Sequence, residues 1–212
     1  TLTVNPATLT VTADDKSKTY GDANPSLTAT YAGFQNSDTS SVITGSPSLS
    51  TLATTTSGAG DYTITAGAGD LSASNYTFTF VDGTLTINQK AITLTADTQS
   101  KTYGDTLTFD GNEFTTSTMV GSESIASASF SVASSADSTT TANVGTYTIT
   151  PSAAVATSGT DLNNYSITYA TQDLTVGKRT LSLALTGATT KTYDGNTSAT
   201  LTSSNYSLSN LV

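Results

Sequence analysis

The sequence predicts a mainly β protein made of tandem, extended modules. First, short stretches alternate apolar residues with Thr or Ser, which is the period of a half-buried strand. Second, one six-residue cluster recurs along the chain, as expected of a repeat architecture. Third, charged residues make up only 11% of the 212 residues, against about 25% in ordinary globular proteins. A sheet needs only one apolar face, so a hydrophobic content of 35% is enough for small modules.

The recurring cluster sets the length of the repeat. The string "SKTYGD" occupies 17–22 and returns at 100–105, and the related "TKTYDG" occupies 190–195. The tyrosines of the three clusters are 83 and 90 residues apart. Two further landmarks keep the same order in both copies: "YTIT" at 62–65 and 147–150, and Asn-Tyr at 75–76 and 164–165.

This register divides the chain into four parts. They are the tail strand of a preceding module (1–5), a first complete module (6–88), a second one (89–176), and the incomplete start of a third (177–212). Only about three residues link the last strand of one module to the first strand of the next. A linker that short predicts neighbours that touch and an array that behaves as a rigid rod.

Each module begins with a strand in which apolar residues alternate with Thr. Leu9 and Val11 show this in the first copy, and Ile92 and Leu94 in the second. Further strands are predicted at "SLTATYAGF" (26–34), at "YTIT", at "NYTFTF" (75–80), where Tyr76, Phe78 and Phe80 share a face, and at "GTLTI" (83–87) after the Asp82-Gly83 turn signal.

One stretch of the module has helical features. Residues 36–45 offer Asn36 or Ser37 as an N-cap and Gly45 near a C-cap, with Val42 and Ile43 between them. In the second copy Met119-Val120 precedes Gly121. We therefore expect a β-grasp-like sheet covered by one short helix, with the first and last strands adjacent and parallel. An immunoglobulin-like β-sandwich is the alternative.

The recurring cluster itself is predicted to be a tyrosine-anchored turn. A Gly after the tyrosine suits a positive φ, an Asp can bond back to turn N–H groups, and the ring would fix the turn to the core while its hydroxyl finds a backbone acceptor. The third copy inverts the Gly-Asp order. The predicted turn anchors are Tyr20, Gly21, Asp22, Tyr103, Gly104, Asp105, Tyr193, Asp194 and Gly195.

Two other roles for the cluster stay open at this point. Tyr, Asn and Asp on an exposed rim are typical of glycan binding. Alternatively, Lys18 and Lys101 could form isopeptide bonds with Asn75 and Asn164, although "DKSKTYGD" (15–22) looks solvated. The basic residues lie at module junctions or just before the tyrosines, which favours lysines that protect exposed strand edges from aggregation over a binding stripe.

Composition excludes several functions. The chain has no Cys and no His, so thiol catalysis, zinc–thiolate sites, Ser-His-Asp chemistry and His metal sites are absent. No convincing pair of carboxylates and no phosphate-binding Gly loop is present, and we predict neither an enzyme nor a cofactor site. A net charge of −9 disfavours nucleic acid and anionic membranes as partners, and no apolar run is long enough to insert into a membrane. Weak calcium binding is a candidate, at Asp14, Asp15 or Asp161.

The motifs resemble a known family of bacterial modules. "KTYGD" followed by "NYTFTFVDGTLTI" is similar to the MBG domain of the YGX type, and "KTYDGNTSAT" (191–200) is similar to the start of a YDG domain. The second copy lacks "NPSLTATYAGF" (24–34) and has "TLTFDGNEF" (106–114) instead, so a surface site shared by both copies is not expected there.

The resemblance also implies a function and a location. Such modules occur in tandem in large bacterial surface and secreted adhesins, so an extracellular, cell-surface location is expected. The implied role is a stiff stalk that presents a binding region and whose partners are adjacent modules of the same chain. The alternative is that the modules themselves bind a host or environmental glycan, such as mucin.

Overall fold

The protein is mainly β, as the sequence predicts. The computed structural model describes residues 1–187, 190–198 and 200–212, with 45% strand and 6% helix. Two compact units are present. The first comprises Thr1–Thr93, Ser117–Ile125 and Ala156–Thr168, and the second comprises Leu94–Thr116, Ala126–Val155 and Tyr169–Val212. The boundaries of these units differ from the module boundaries predicted from the repeat. The module boundaries stay a prediction.

Seven strands form two sheets in the first copy of the repeat. In one sheet β1 lies between β3 and β6, and the other has the order β2-β7-β5-β4. The strands are β1 Ala7–Ala13, β2 Lys16–Thr19, β3 Ala29–Ala32, β4 Ser48–Ser50, β5 Gly60–Gly67, β6 Tyr76–Val81 and β7 Gly83–Asn88.

Each sheet contains one parallel strand pair. β1 runs parallel to β6, with Leu9 opposite Phe78, and β2 runs parallel to β7, with Lys18 opposite Ile87. The first strand therefore pairs with the penultimate strand, and the last strand pairs with β2. The predicted pairing of the first strand with the last is wrong, because these two strands lie in different sheets. Only Asp82 separates β6 from β7, so the chain bends there from one sheet into the other.

Acidic side chains make this bend possible. Asp82 Oδ1 accepts a hydrogen bond of 2.8 Å from Ala66 N, and Asp15 Oδ1 accepts one of 2.7 Å from Thr84 N. They satisfy backbone donors that leave the ladder where the sheets diverge. Gly83 is required at this corner, because a Cβ there would lie 2.5 Å from the carbonyl oxygen of Ala13. The Asp-Gly signal thus marks a sheet-to-sheet bend rather than a hairpin.

The core of the first copy consists of the alternating apolar residues. Leu9 and Val11 of β1, Ile64 of β5 and Leu85 of β7 are each 0% exposed. Thr side chains between them face outward or lie at partly exposed positions, as the period of two requires. The predicted alternation therefore identifies the buried face correctly in these strands.

The second copy repeats the arrangement. β8 lies between β10 and β13, and the other sheet has the order β11-β12-β14-β9. β14 and β9 are parallel, with Val176 opposite Lys101. The strands are β8 Lys90–Ala96, β9 Gln99–Thr102, β10 Phe114–Thr116, β11 Ile125–Val132, β12 Gly145–Ala156, β13 Tyr165–Ala170 and β14 Gln172–Gly177.

The predicted short helix is only a single 3₁₀ turn. It covers Ser40–Val42, buries no residue, and Thr39 is its N-cap. Asn36 and Ser37, the predicted caps, have φ of 51° and 67°, whereas an N-cap needs an extended backbone; that assignment is wrong. In the second copy no helix forms around Met119, where the chain makes a turn at Val120 instead. The other 3₁₀ turns are Ala133–Ser135, Leu162–Asn164 and Ser203–Asn205.

The C-terminal part contains one antiparallel strand pair. β15 (Ser182–Leu185) pairs with β16 (Tyr206–Ser209). Leu183 and Leu185 alternate with Ser182 and Ala184 along β15, but they are 66% and 59% exposed. Ala188, Thr189 and Ala199, the last within the predicted start of a YDG-like module, lie outside the described residues. Among the residues described, no helix has both the length and the apolar character needed to cross a membrane.

Candidate functional site: the tyrosine turns and their partners

The backbone of the recurring cluster forms the same turn in both complete copies. Tyr20 N donates to the Asn88 carbonyl over 2.9 Å, and Tyr103 N donates to the Gly177 carbonyl over 2.9 Å. Each tyrosine therefore follows directly after a strand that pairs in parallel with the last strand of its copy, β2 with β7 and β9 with β14. A second bond closes each turn, from Asp22 N to Thr19 O and from Asp105 N to Thr102 O, both 3.0 Å.

The glycine of the turn has the conformation that the sequence predicts. Gly21, Gly104 and Gly195 have φ of +90°, +95° and +89°, a region that side-chain-bearing residues rarely adopt. Gly21 also leaves room for a neighbour, since a Cβ there would lie 2.5 Å from Val120 Cγ2. Gly21 is thus needed both for its backbone conformation and for the close approach of Val120.

The lysine before each tyrosine is a structural group. Lys18 is only 7% exposed, and its ammonium donates to the carbonyls of Asp22 (3.0 Å) and Thr54 (2.7 Å). Lys101 donates likewise to the carbonyls of Asp137 (3.3 Å) and Thr139 (2.6 Å). Each ammonium holds a distant loop against the turn, which corrects both the expectation of a solvated Lys18 and its assignment to edge protection.

These contacts also bear on the isopeptide hypothesis. The Lys18 ammonium faces backbone carbonyls, and Asn75 is exposed. Asn164 is buried, but its Oδ1 accepts a hydrogen bond of 2.8 Å from Ala59 N. The asparagines therefore lie in different surroundings from each other, and their contacts in this structure do not place them as partners of the two lysines.

The Tyr20 hydroxyl has an unexpected partner. It donates to Glu123 Oε1 over 2.9 Å, so its acceptor is a carboxylate of the second copy and not a backbone carbonyl of its own turn. The Tyr165 hydroxyl donates to the other oxygen of Glu123 and accepts from Val120 N over 2.9 Å. The two tyrosine rings meet edge to face, with centroids 5.5 Å apart and planes at 82°.

This arrangement changes the acidity of both phenols. Burial, followed by the hydrogen bond to Glu123, raises the pKa of Tyr165 to about 12. The same two causes raise the pKa of Tyr20 above its ordinary value. A shared carboxylate favours the neutral phenols, because an ionised phenol beside it would place two negative charges together. The cluster is therefore most stable with both tyrosines protonated.

Neighbouring contacts extend this cluster, which we call the tyrosine clasp: Tyr20, Gly21, Val120, Glu123, Asn164 and Tyr165. Asn164 accepts from the backbone of the first copy at Ala59, and Gln89 Nε2 donates to the Asn163 carbonyl over 2.9 Å. Asn164 is only 8% exposed. The clasp thus combines one apolar contact, one aromatic pair and two hydrogen bonds between the repeats, from Tyr20 to Glu123 and from Ala59 to Asn164.

The turn of the second copy has a different partner. Arg179 Nη1 donates to the Tyr103 carbonyl (3.2 Å) and to Asp105 Oδ1 (3.0 Å), so Asp105 pairs with an arginine and not with a turn N–H group. Tyr103 is half-buried and packs on the core cluster that contains Ile149 and Leu174. A Cβ at Gly104 would collide with Val212. The sequence did not predict this role of Arg179.

The third cluster is exposed. Tyr193 is 88% exposed, so the predicted anchoring of the ring is not realised there. Asp194 Oδ1 accepts from Asn196 N over 3.2 Å, the bond predicted for a turn aspartate, and lies 2.6 Å from Lys191 Nζ. The hydrogen bond with Lys191 holds the pKa of Asp194 below its ordinary value. The Lys191 ammonium also donates to the Ser198 carbonyl over 2.6 Å.

The aspartates considered for calcium have structural partners. Asp14 accepts a hydrogen bond from Thr28 Oγ1, Asp15 accepts from Thr84 N, and Asp161 Oδ1 accepts from Asn163 N over 3.0 Å. In the part of the chain that the structure describes, no three acidic side chains converge as metal ligands would.

Sequence reasoning missed the second half of the clasp. Glu123 and Val120 lie in a stretch that differs between the copies, and Asn164-Tyr165 was noticed only as a landmark. The available signal was the fixed Asn-Tyr pair downstream of each Lys-Thr-Tyr cluster. Two landmarks that keep their order in both repeats, as the Lys-Thr-Tyr cluster and the Asn-Tyr pair do, can indicate the two sides of an interface between repeats.

Comparison with known families identifies the repeat. The model of the MBG domain (YGX type) matches the chain twice, over residues 9–86 and 92–175. A comparison with curated proteins found no match. The two matches contain both Lys-Thr-Tyr-Gly turns and both Asn-Tyr pairs, and together they span most of the sequence. The chain therefore belongs to the MBG domain (YGX type) family and carries two tandem repeats of it.

Proposed function

We propose that this chain is part of the stalk of a bacterial cell-surface or secreted adhesin, in which the repeats serve as stiff spacers for a binding region. The observation that carries the proposal is the tyrosine clasp, in which Glu123 bonds Tyr20 of one repeat and Tyr165 of the next. Hydrogen bonds to a carboxylate are stronger than neutral ones, and this one is shared by two buried rings. Such a contact supports a fixed orientation of neighbours, which a spacer needs.

The junction supports the same role. β7 ends at Asn88 and β8 begins at Lys90, so Gln89 alone separates the last strand of one repeat from the first strand of the next. The side chain of Gln89 is itself held by the Asn163 carbonyl. A connection of one restrained residue leaves far less freedom than a flexible linker.

Binding of a glycan by the recurring turns is the competing function. Aromatic glycan sites present a ring face to solvent, whereas Tyr20 is 5% exposed and its ring packs on Tyr165. The recurring motif is therefore better suited to contacts between repeats. A glycan array run with the full chain tests this: reproducible binding that is lost on Tyr20→Ala but retained on Glu123→Gln would favour the adhesive alternative.

Small-angle scattering tests the stalk proposal. A compact sphere of 212 residues has a radius of gyration of about 17 Å, and we expect a clearly larger value with a skewed distance distribution. The matched variant is Glu123→Gln, which keeps the side-chain size but weakens both tyrosine bonds, and it should broaden the distribution. A radius near the compact value would mean that the repeats fold back on each other and would refute the stalk.

A further inference from the structure

The second repeat's half of the clasp has a counterpart in the first repeat. The Tyr76 hydroxyl donates to Asp38 Oδ2 over 2.7 Å and accepts from Gln35 N over 3.0 Å. The Tyr165 hydroxyl makes the corresponding bonds to Glu123 and from Val120 N. In both repeats the acid lies three residues after the backbone donor. The same polar cluster is thus built twice from different residues.

The backbone beneath the two clusters is also the same. Asp38 N donates to Gln35 O over 2.9 Å, and Glu123 N donates to Val120 O over 3.0 Å. The residue after the donor has a positive φ in both turns, 51° at Asn36 and 58° at Gly121. The two turns therefore present a carboxylate and a phenol in the same geometry, although their sequences, "QNSD" and "VGSE", share only a serine and an acid.

The two clusters differ in what covers them. In the second repeat Tyr20 packs on the phenol and Asn164 is 8% exposed, whereas its counterpart Asn75 is exposed. An open groove runs over this part of the first repeat, lined among others by Pro6, Gln35, Asp38, Asn75 and Tyr76. The hydrogen bond from the Gln35 N–H is the largest influence on the pKa of Tyr76 and lowers it. The hydrogen bond to Asp38 and burial together outweigh it, so the pKa of Tyr76 is raised.

The strand segment beside the groove carries a matching signal. Leu2 and Val4 are 93% and 83% exposed. By the repeat register "TLTVN" (1–5) corresponds to "TLTIN" (84–88), in which Leu85 and Ile87 are 0% and 2% exposed. The last residue of the latter segment, Asn88, accepts the Tyr20 N–H. The segment 1–5 therefore has the same alternating pattern as the closing strand β7.

We propose that Gln35, Asp38, Asn75 and Tyr76, the acceptor face, dock the Lys-Thr-Tyr-Gly turn of another MBG repeat. The incoming tyrosine would donate its hydroxyl to Asp38, beside the Tyr76 hydroxyl, and its backbone N–H would donate to Asn5. This proposal rests on the proposed function, because the partner that it names is a neighbouring spacer repeat. Docking does not require a straight array, so it can hold even where the stalk proposal fails.

Adding one repeat to the chain tests the proposal. A copy of residues 6–83 placed directly before Thr1 regenerates the junction, because "VDG" is then followed by "TLTVNPATL" as it is by "TLTINQKAI" in the natural chain. Leu2 and Val4 take the places of Leu85 and Ile87. The tyrosine turn of the added copy should then reach the acceptor face.

Disulfide crosslinking reads out docking directly, since the protein has no cysteine. In the resident clasp a Cβ at Gly21 lies 3.5 Å from Val120 Cβ, within the range of a disulfide. Gly21→Cys with Val120→Cys is therefore the positive control. Gly21→Cys in the added copy with Gln35→Cys is the test pair, and the same added cysteine with Ser50→Cys on β4 is the negative control.

We expect the crosslinked fraction of the test pair to lie within about threefold of that of the resident pair and well above that of the Ser50 control. Independently, the added repeat without any cysteine should slow hydrogen exchange of the amides from 35 to 38 by at least about tenfold. The proposal is overturned if the resident pair crosslinks while the test pair stays at the level of the negative control, or if exchange at 35–38 is unchanged. Crosslinking together with a compact scattering profile would retain docking and reject the stalk.

Discussion

At the scale of single residues, the repeat is held by polar side chains in buried or half-buried positions. Lys18 is the clearest case, because its ammonium is buried and is satisfied only by two carbonyls on different segments. Unpaired buried polar groups are costly, so a lysine in this position is destabilising unless each donor direction finds an acceptor. Lys101 makes the corresponding pair of carbonyl contacts in the second repeat, so the lysine before Thr-Tyr has the same role in both complete copies.

Replacing Lys18 by Met should destabilise the first repeat by about 2 kcal/mol, because the carbonyls of Asp22 and Thr54 lose their donor. Lys16→Met is the matched control. Lys16 is on the same strand, but its side chain is 26% exposed and its ion pair with Asp14 measures 3.9 Å, so a change of at most about 0.5 kcal/mol is expected. Chemical denaturation of the two variants makes the comparison, and equal losses would contradict the role assigned to Lys18.

The clasp predicts a pH dependence with a definite sign. The pKa of Tyr165 in the folded protein is raised to about 12, while an unfolded tyrosine ionises near 10. The unfolded state therefore releases its proton first. The stabilisation is complete below about pH 10 and is lost as the pH rises toward 12. Urea titrations over this range should show a falling unfolding free energy, with a shallower fall in Tyr165→Phe. An unchanged slope in the variant would assign the pH dependence to other tyrosines.

At the scale of elements, the tyrosine turn is specified by a glycine with two duties. Gly21 has a φ of +90°, and it leaves space for Val120, because a Cβ at position 21 would lie 2.5 Å from Val120 Cγ2. The neighbouring strands set the position of this turn, because Tyr20 N completes the ladder between β2 and β7. Both the backbone conformation and the close approach of Val120 therefore require a residue without a side chain at position 21.

Gly21→Ala should therefore destabilise the protein by about 1–3 kcal/mol, from backbone strain and the clash with Val120. The control is Gly145→Ala at the start of β12, where a Cβ meets nothing within 4 Å and a change of at most about 0.5 kcal/mol is expected. Combining Gly21→Ala with Val120→Ala separates the two causes. Only the clash is relieved in the double variant, so recovery should be partial, and full recovery would show that the φ of Gly21 carries no cost.

At the scale of the whole molecule, repeats of this kind should unfold with energetic coupling through the clasp. Stability in repeat arrays is the sum of each repeat's own stability and of nearest-neighbour interface terms. Tyr20 contributes to both, because its ring is buried at the end of the first repeat while its hydroxyl bonds Glu123. A change at Tyr20 should therefore be felt by residues of the second repeat.

Tyr20→Ala should accelerate hydrogen exchange at Val120, Asn164 and Tyr165 as well as in its own turn. Tyr31→Ala is the control, since Tyr31 is half-buried on β3 of the same repeat and a loss of stability there should stay local. Mass-spectrometric exchange with peptide resolution distinguishes the two patterns. If both variants change exchange in the first repeat alone, the clasp transmits no stability between repeats.

The sequence by itself determined the class of the fold and the repeat. Alternation of Leu, Val and Ile with Thr identifies the buried face, because a strand exposes every second side chain, and the positive φ of the turn glycines follows from Gly after Tyr at a strand end. Spacing of the Lys-Thr-Tyr cluster and of the Asn-Tyr pair was enough to recognise a tandem repeat, and the resemblance of its motifs indicated the MBG family. These features are local or periodic, so they can be read along the chain.

The tertiary structure decided how the repeated parts meet. Tyr20 and Glu123 are 103 residues apart, and no local pattern relates a phenol to a carboxylate at that distance. The bend at Asp82, the burial of Lys18 and the reduction of the expected helix to one 3₁₀ turn were likewise settled by packing. Each depends on which backbone donors and acceptors the fold leaves unpaired, and that is determined only once the sheets are assembled.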